Sequence, residues 1–213
     1  MTVTVQEVAR YLRMGGNAPD GALAARIEEL LADAARVLRP ARIWRRLPVA
    51  RIPSPGTTLL RHLEGCAEAY LACGTIGPGL DALQRRVSVT SGADALIVQA
   101  IGAALIERHM DGVEDEIRAE LAPGETLLTR YSPGYGDFPL EAQRPILALL
   151  DTPRKIGVSL TDSLLMVPSK SVSAVIGVGF DARRETRDEQ GFDARRETRD
   201  ASEDVRRRDG AIG

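Results

Sequence analysis

Aromatic residues are scarce in this chain: 213 residues include one tryptophan, four tyrosines and three phenylalanines, 4% of the total. Cysteine and histidine are scarcer still. Cys66 and Cys73 are accompanied only by His62 and His109, too few for the Cys/His clusters of a metal site, so buried free thiols and ordinary histidines are the expectation. Neither sign of charge dominates, with 28 Lys+Arg against 30 Asp+Glu, a net charge of −2 and a pI near 5.8. That balance supplies no basic stripe to attract nucleic acid or an anionic membrane, and neither is expected as a partner. No apolar run approaches the roughly 20 residues of a membrane span. The opening "MTVTVQEVARYLRM" carries charges within its apolar pattern, unlike a secretory leader. A cytoplasmic location is the expectation.

What is present is the composition of a globular protein, 44% hydrophobic and 27% charged, sized for one domain with appendages. Thr4 stands three residues before Glu7 in a capping-box pattern, opening a short helix with Val8, Tyr11 and Leu12 on one face. Asp20 caps a second helix whose apolar stripe runs from Leu23 through Ile27, Leu30 and Ala34 to Leu38 and must pack on something. "ARIWRRLPVARI" is extended with a proline inside, which suits an edge strand. A short helix "TTLLRHLEG", a buried strand "AEAYLACGTIG" and a helix "GLDALQRRV" follow. From Asp94 to about Leu121 the pattern is helical, and beside its apolar face Ala100, Ala103 and Ala104 form a small-residue patch that allows close approach of a backbone or a ligand.

After a short strand "TLLTR" comes "RYSPGYGDFP", Arg130 to Pro139, which gathers three of the chain's few aromatics with two prolines and two glycines. Pro133-Gly134 fits the centre of a type II turn. Arg130 offers a planar fork to a carboxylate, and Tyr135 a ring for a flat or cationic group. Judged alone, the loop reads first as a rigid turn with an ordinary ion pair; its functional alternative is a small zwitterionic ligand bearing an aromatic ring. "LEAQRPILALLD" is helical, with Pro145 expected to kink it. "IGVSLTDSLLMVPSKSVSAVIGVG" reads as two or three strands turning at "PSK". Helices and strands alternate without a βαβ rhythm, which favours an α+β or irregular α/β domain. Strand-Gly-x-Gly in "AVIGVGFD" imitates a class I methyltransferase opening, but too little chain follows for a doubly wound sheet.

The end differs in kind. "GFDARRETRD" occurs at Gly179 to Asp188 and again at Gly191 to Asp200, and from Asp181 nine arginines face ten acids. With almost nothing to bury, disorder is expected there. The resulting division is a helical segment over 1–40, a domain over 41–179 and a charged tail over 180–213.

"RYSPGYGDFP", followed by "IGVSLTDSLLMVPSKSVSA", resembles the activation (reactivation) domain of cobalamin-dependent methionine synthase. Arg130, Pro133, Gly134 and Tyr135 match its Arg-x-x-Pro-Gly-Tyr loop. Ile156, Gly157, Leu160, Thr161, Ser163, Met166, Pro168, Ser171, Val172 and Ser173 match its second run, with Asp162 standing where the pattern has glutamate. The similarity runs from about Ile43 to Val178 and is nearest to free-standing, single-domain members. It implies an α+β fold with a mainly antiparallel twisted sheet flanked by helices. It also implies an accessory role rather than an independent enzyme: binding S-adenosylmethionine and capping a corrinoid, so that cob(II)alamin is reductively methylated to methylcobalamin. The partners would be the methionine synthase core or another corrinoid protein, which holds the cobalamin, and a flavodoxin- or ferredoxin-type reductant. By the same resemblance Arg130 holds the ligand carboxylate, Tyr135 borders the adenosine or the corrin, and backbone from Tyr131 through Ser132 and Pro133 to Gly134 reads the adenine. Glu107 could meet the amino group or sulfonium, or be an exposed helical glutamate; Thr161, Asp162 and Ser163 could line the cleft or end a strand. In the fused family the Ser-Val-Ser strand leads into further aromatic-bearing strand sequence; here the repeat takes its place. The alternative is a corrinoid-docking module that binds no S-adenosylmethionine.

Overall fold

A computed structural model of the chain describes residues 2–14 and 17–180; the expected disorder of the charged repeat lies outside them. Helix α1 (Val5–Tyr11) starts at Thr4, whose hydroxyl accepts from the Glu7 amide while the Glu7 carboxylate accepts from the Thr4 amide. Helix α2 (Gly21–Val37) starts at Asp20, which accepts from the Leu23 amide at 2.8 Å. Both caps are the ones the sequence predicts.

Strands β1 (Ala41–Pro48), β2 (Glu68–Thr75), β3 (Glu125–Leu127) and β6 (Ser171–Phe180) form one antiparallel sheet in the order β1-β2-β6-β3. Ile43 pairs with Cys73, Tyr70 with Ile176 and Leu127 with Val178. β1 lies at an edge, as its charges and proline imply. Between β1 and β2 lies α3 (Thr57–His62); between β2 and β3 lie α4 (Gly79–Ser88) and the long α5 (Gly92–Ala119). After the loop come α6 (Gln143–Leu150), α7 (Thr152–Ile156) and a small hairpin, β4 (Ser159–Leu160) with β5 (Met166–Val167).

Alternation along the strands sends side chains to two covered faces. On one, Leu71, Cys73 and Val175 pack with Leu59 of α3 and Ile146, Leu147 and Leu150 of α6. On the other, Tyr70, Ala72 and Ile176 pack with Met110, Val113 and Ile117 of α5. This is the antiparallel sheet flanked by helices that the sequence resemblance implies. A third cluster joins Val8 of α1 and Ile27, Leu30 and Ala34 of α2 to Leu80 and Leu83 of α4 and Ile97 and Ile101 of α5. The stripe on α2 thus finds its partner in the α4–α5 pair.

One local expectation is revised. Pro145 does not kink a helix, because α6 begins at Gln143 and puts the proline in its first turn, where no intrahelical N–H is needed.

Candidate functional site

The Arg130–Pro139 loop is held by its own short-range chemistry. The Tyr135 amide donates to the Ser132 carbonyl at 3.2 Å, closing a turn with Pro133 and Gly134 at its centre, and Gly134 has φ of 94°. That positive φ is what a type II turn requires and what glycine tolerates. At the loop's entrance Tyr131 exchanges both backbone hydrogen bonds with Val175 of β6, each 2.8 Å. At its exit Asp137 caps α3, accepting from the amides of Thr57 and Thr58 and from the Thr58 hydroxyl. The Tyr131 hydroxyl donates to that same threonine oxygen at 2.9 Å. These donors hold the Asp137 carboxyl down to about 2, with the Thr58 side chain the largest cause.

Arg130 reaches across to α5. Its Nη1 donates to Asp111 at 3.0 Å and to Glu114, and its Nη2 to Glu107 at 2.6 Å. Burial opposes the charge on this half-buried guanidinium, but its hydrogen bonds to Glu114, Glu107 and Asp111 outweigh it and raise its pKa above the ordinary arginine value. Three carboxylates against one guanidinium leave two negative charges in excess. The Arg130 fork is therefore already engaged by the protein itself, through both N–H groups of Nη1 and one of Nη2.

Above this cluster opens a cavity of about 350 Å³. Its walls are Glu107 of α5, Arg130, Tyr131, Ser132, Pro133 and Tyr135 of the loop, Gln143 of α6, Met166 of β5 and Ser171, Val172 and Ser173 of β6. The structure thus brings together Glu107 and most of the predicted loop. Gly134 shapes the turn without lining the cavity. Thr161, Asp162 and Ser163 do not line it either: they form the turn between β4 and β5, where the Thr161 and Ser163 hydroxyls bond each other and the Asp162 carbonyl accepts from Arg144. Tyr135 is 68% exposed at the rim, so the loop's tyrosines are not simply core. Leu140, Leu165 and Val167 are exposed as well.

Sequence reasoning passed over Gln143 and named Ser173 only as part of a motif. Yet the Gln143 amide oxygen and the Ser173 hydroxyl are buried and have no hydrogen-bond partner among the described residues. A second, smaller cavity of about 220 Å³ shares Glu107 and lies between α1 and α5, lined by Glu7, Arg10, Tyr11, Ala104, Arg108 and Asp111. Ala104 belongs to the small-residue patch, which here admits α1. Among the described residues no cluster of potential ligands could hold a metal ion, and no helix is long and apolar enough to cross a membrane.

The fold places the chain in a known structural class. It is similar to a solved structure described as the MetH reactivation domain bound to AdoHcy, with 17% identity, a TM-score of 0.57 and coverage of 85% of this chain and 78% of that one. No curated protein matches the sequence. The family model for the activation domain of vitamin B12 dependent methionine synthase matches residues 93–210, and the chain belongs to that family. The matched span begins in α5, contains the whole loop and β6, and extends into the repeat.

Proposed function

We propose that the protein is a cytoplasmic accessory factor of cobalamin-dependent methionine synthase, or of another corrinoid protein. It binds S-adenosylmethionine and caps the corrinoid for reductive methylation of cob(II)alamin to methylcobalamin, with a flavodoxin- or ferredoxin-type protein as reductant. The observation that carries this reading is the single cavity uniting the Arg130–Tyr135 loop, Glu107 and the start of β6, the same stretches that bear the family motif. Its volume falls in the range of small-molecule sites. The side chains also fit: an acidic cluster for a cationic ligand and a ring at the rim.

When bound, the sulfonium supplies a methyl group to the partner's cobalt. The protein's part is to bind and orient. The excess negative charge of Glu107, Asp111 and Glu114 favours the ligand's positive centre, while Arg130 reduces the cluster's repulsion of the ligand carboxylate and offers it the N–H groups not engaged by α5. Tyr135 covers the adenosine or faces the corrin. Exposed Leu140, Leu165 and Val167, chain neighbours of the loop and of Met166, supply apolar surface suited to a macrocycle face.

A second reading, docking without S-adenosylmethionine, is favoured by one observation: Arg130 already serves three internal carboxylates. Isothermal titration separates the two. Saturable binding of S-adenosylmethionine that weakens in Tyr135→Ala, a change at an exposed ring that leaves the fold intact, supports activation; no binding at millimolar ligand leaves only docking. The functional assay mixes the protein with a methionine synthase core lacking its own activation domain, held as cob(II)alamin, with reductant and S-adenosylmethionine. Methylcobalamin is expected to form faster than without the protein; an unchanged rate sinks the main reading.

A further inference from the structure

Two cavities meet at Glu107. The larger, of about 350 Å³, has this residue on the α5 side of its wall, and the smaller, of about 220 Å³, has it between α1 and α5. Glu7, Arg10 and Tyr11 stand three or four apart on α1, and Ala104, Glu107, Arg108 and Asp111 do the same on α5, so one face of each helix lines the smaller cavity. Three arginines line the two cavities, and two of them are spent inside the protein. Arg130 serves Glu107, Asp111 and Glu114, and Arg108 pairs with Glu7 at 2.6 Å. Arg10 is exposed, and its guanidinium makes no hydrogen bond or ion pair among the described residues.

Tyr11 feels the charges on both sides of Glu107. Burial raises the pKa of its hydroxyl, Glu107 raises it next and Asp111 further, while Arg10 and Arg130 act the other way. The amino-acid end of an S-adenosyl ligand carries an ammonium and a carboxylate on one carbon, so it needs an anion and a cation side by side. Glu107 and Arg10 are that pair in the smaller cavity. Arg130 lies in the wall of the larger one and adds only the N–H groups that α5 leaves over.

Resting on the S-adenosyl reading above, we propose that the smaller cavity seats the ligand's amino-acid end, with Arg10 as the principal contact of the carboxylate and Glu107 facing the amino group, while the larger cavity holds the nucleoside. Helix α1 then joins the site, although the family match begins only at residue 93.

Calorimetric titration of the full chain with S-adenosylhomocysteine and with its decarboxylated counterpart, S-adenosyl-3-thiopropylamine, tests this. The second ligand keeps the nucleoside and the amine and lacks only the carboxylate. The wild type is expected to prefer S-adenosylhomocysteine by about tenfold or more, as one charge-assisted contact gives. Arg10→Gln should weaken that ligand by about tenfold and leave the decarboxylated one within about twofold, so the preference collapses. A merely structural role would weaken both ligands together and leave their ratio intact. Arg13→Gln removes an equal charge nearby from a residue that lines neither cavity, and should preserve the preference. Melting temperatures should hold, since Arg10 has no internal partner to lose. No preference in the wild type, an unchanged preference in Arg10→Gln, or an equal collapse in Arg13→Gln overturns this inference and leaves the S-adenosyl reading standing. Failure of the wild type to bind either ligand overturns that reading instead.

Discussion

Arg130 meets three carboxylates from one helix because Glu107, Asp111 and Glu114 recur at spacings of four and three, which puts them on one face of α5. Their mutual repulsion is relieved by a single guanidinium, and Glu114 is the least exposed of the three. Arg130→Ala therefore has two effects. Chemical denaturation should show a loss of about 2 kcal/mol, less than for a fully buried pair because two of the carboxylates are substantially exposed, and ligand binding should weaken beyond that. Arg130→Lys should restore part of the stability but little of the affinity, since an ammonium cannot span the cluster as a fork does. Asp137 makes a different prediction. Its carboxyl titrates at about 2 in the fold against an ordinary 3.8, so the unfolded chain binds the proton first as pH falls. Its contribution is complete above the ordinary value and is lost as pH drops through the folded one. The melting temperature of Asp137→Asn should be lower at neutral pH and should vary less than the wild type's across that acidic window. The turn at Pro133-Gly134 was legible because proline and glycine encode backbone angles locally. The fate of Arg130 was half legible: the acidic face of α5 is plain in the sequence, but its meeting with the loop is not. Nothing local distinguishes Gln143 or Ser173, whose buried polar atoms lose their partners only where α6 packs on β6.

At the scale of elements, the caps at Thr4 and Asp20 and the stripe on α2 were readable because helices announce their ends and buried faces through side chains a few residues apart. What α2 packs on was not, since its partner lies some fifty residues further on. The packed joint has a sharp test. Gly79 opens α4, and a Cβ there would strike the Val37 carbonyl at the end of α2. Because that obstacle is backbone, Gly79→Ala should cost about 3 kcal/mol by pushing the two helices apart. Leu30, 1% exposed in the cluster shared by α1, α2, α4 and α5, gives the complementary measurement: Leu30→Ala should lower stability by about 3 kcal/mol. A single cooperative transition in both variants would show that residues 1–40 fold with the rest; a separate early transition would show that they do not.

For the molecule as a whole, the strand order β1-β2-β6-β3 places the last described strand in the middle of the sheet. That order could not be read from local pattern, because pairing β6 between β2 and β3 joins segments far apart in the chain, as in Glu68 with Val178 and Glu125 with Phe180. The hydrophobicity of β6 hinted at it, as a strand covered on both faces reads as a nearly continuous apolar run. The chain beyond it poses a whole-molecule question, since the family match continues to residue 210. Truncation after Phe180 should leave the melting temperature unchanged and S-adenosylmethionine affinity within about twofold, if the charged repeat adds no more than the weak contribution of exposed ion pairs. A large loss of affinity would assign part of the ligand site to the repeat.

The loop beside the cavity is tied at its entrance to Val175 and at its exit to Thr57 and Thr58. Its ordering is settled when the protein folds, so little rearrangement stands between encounter and capture. In a stopped-flow experiment the observed rate should rise linearly with ligand concentration as a single exponential, with no plateau from a slow closing step. Any slow phase in reactivation would then belong to the docking of the corrinoid partner.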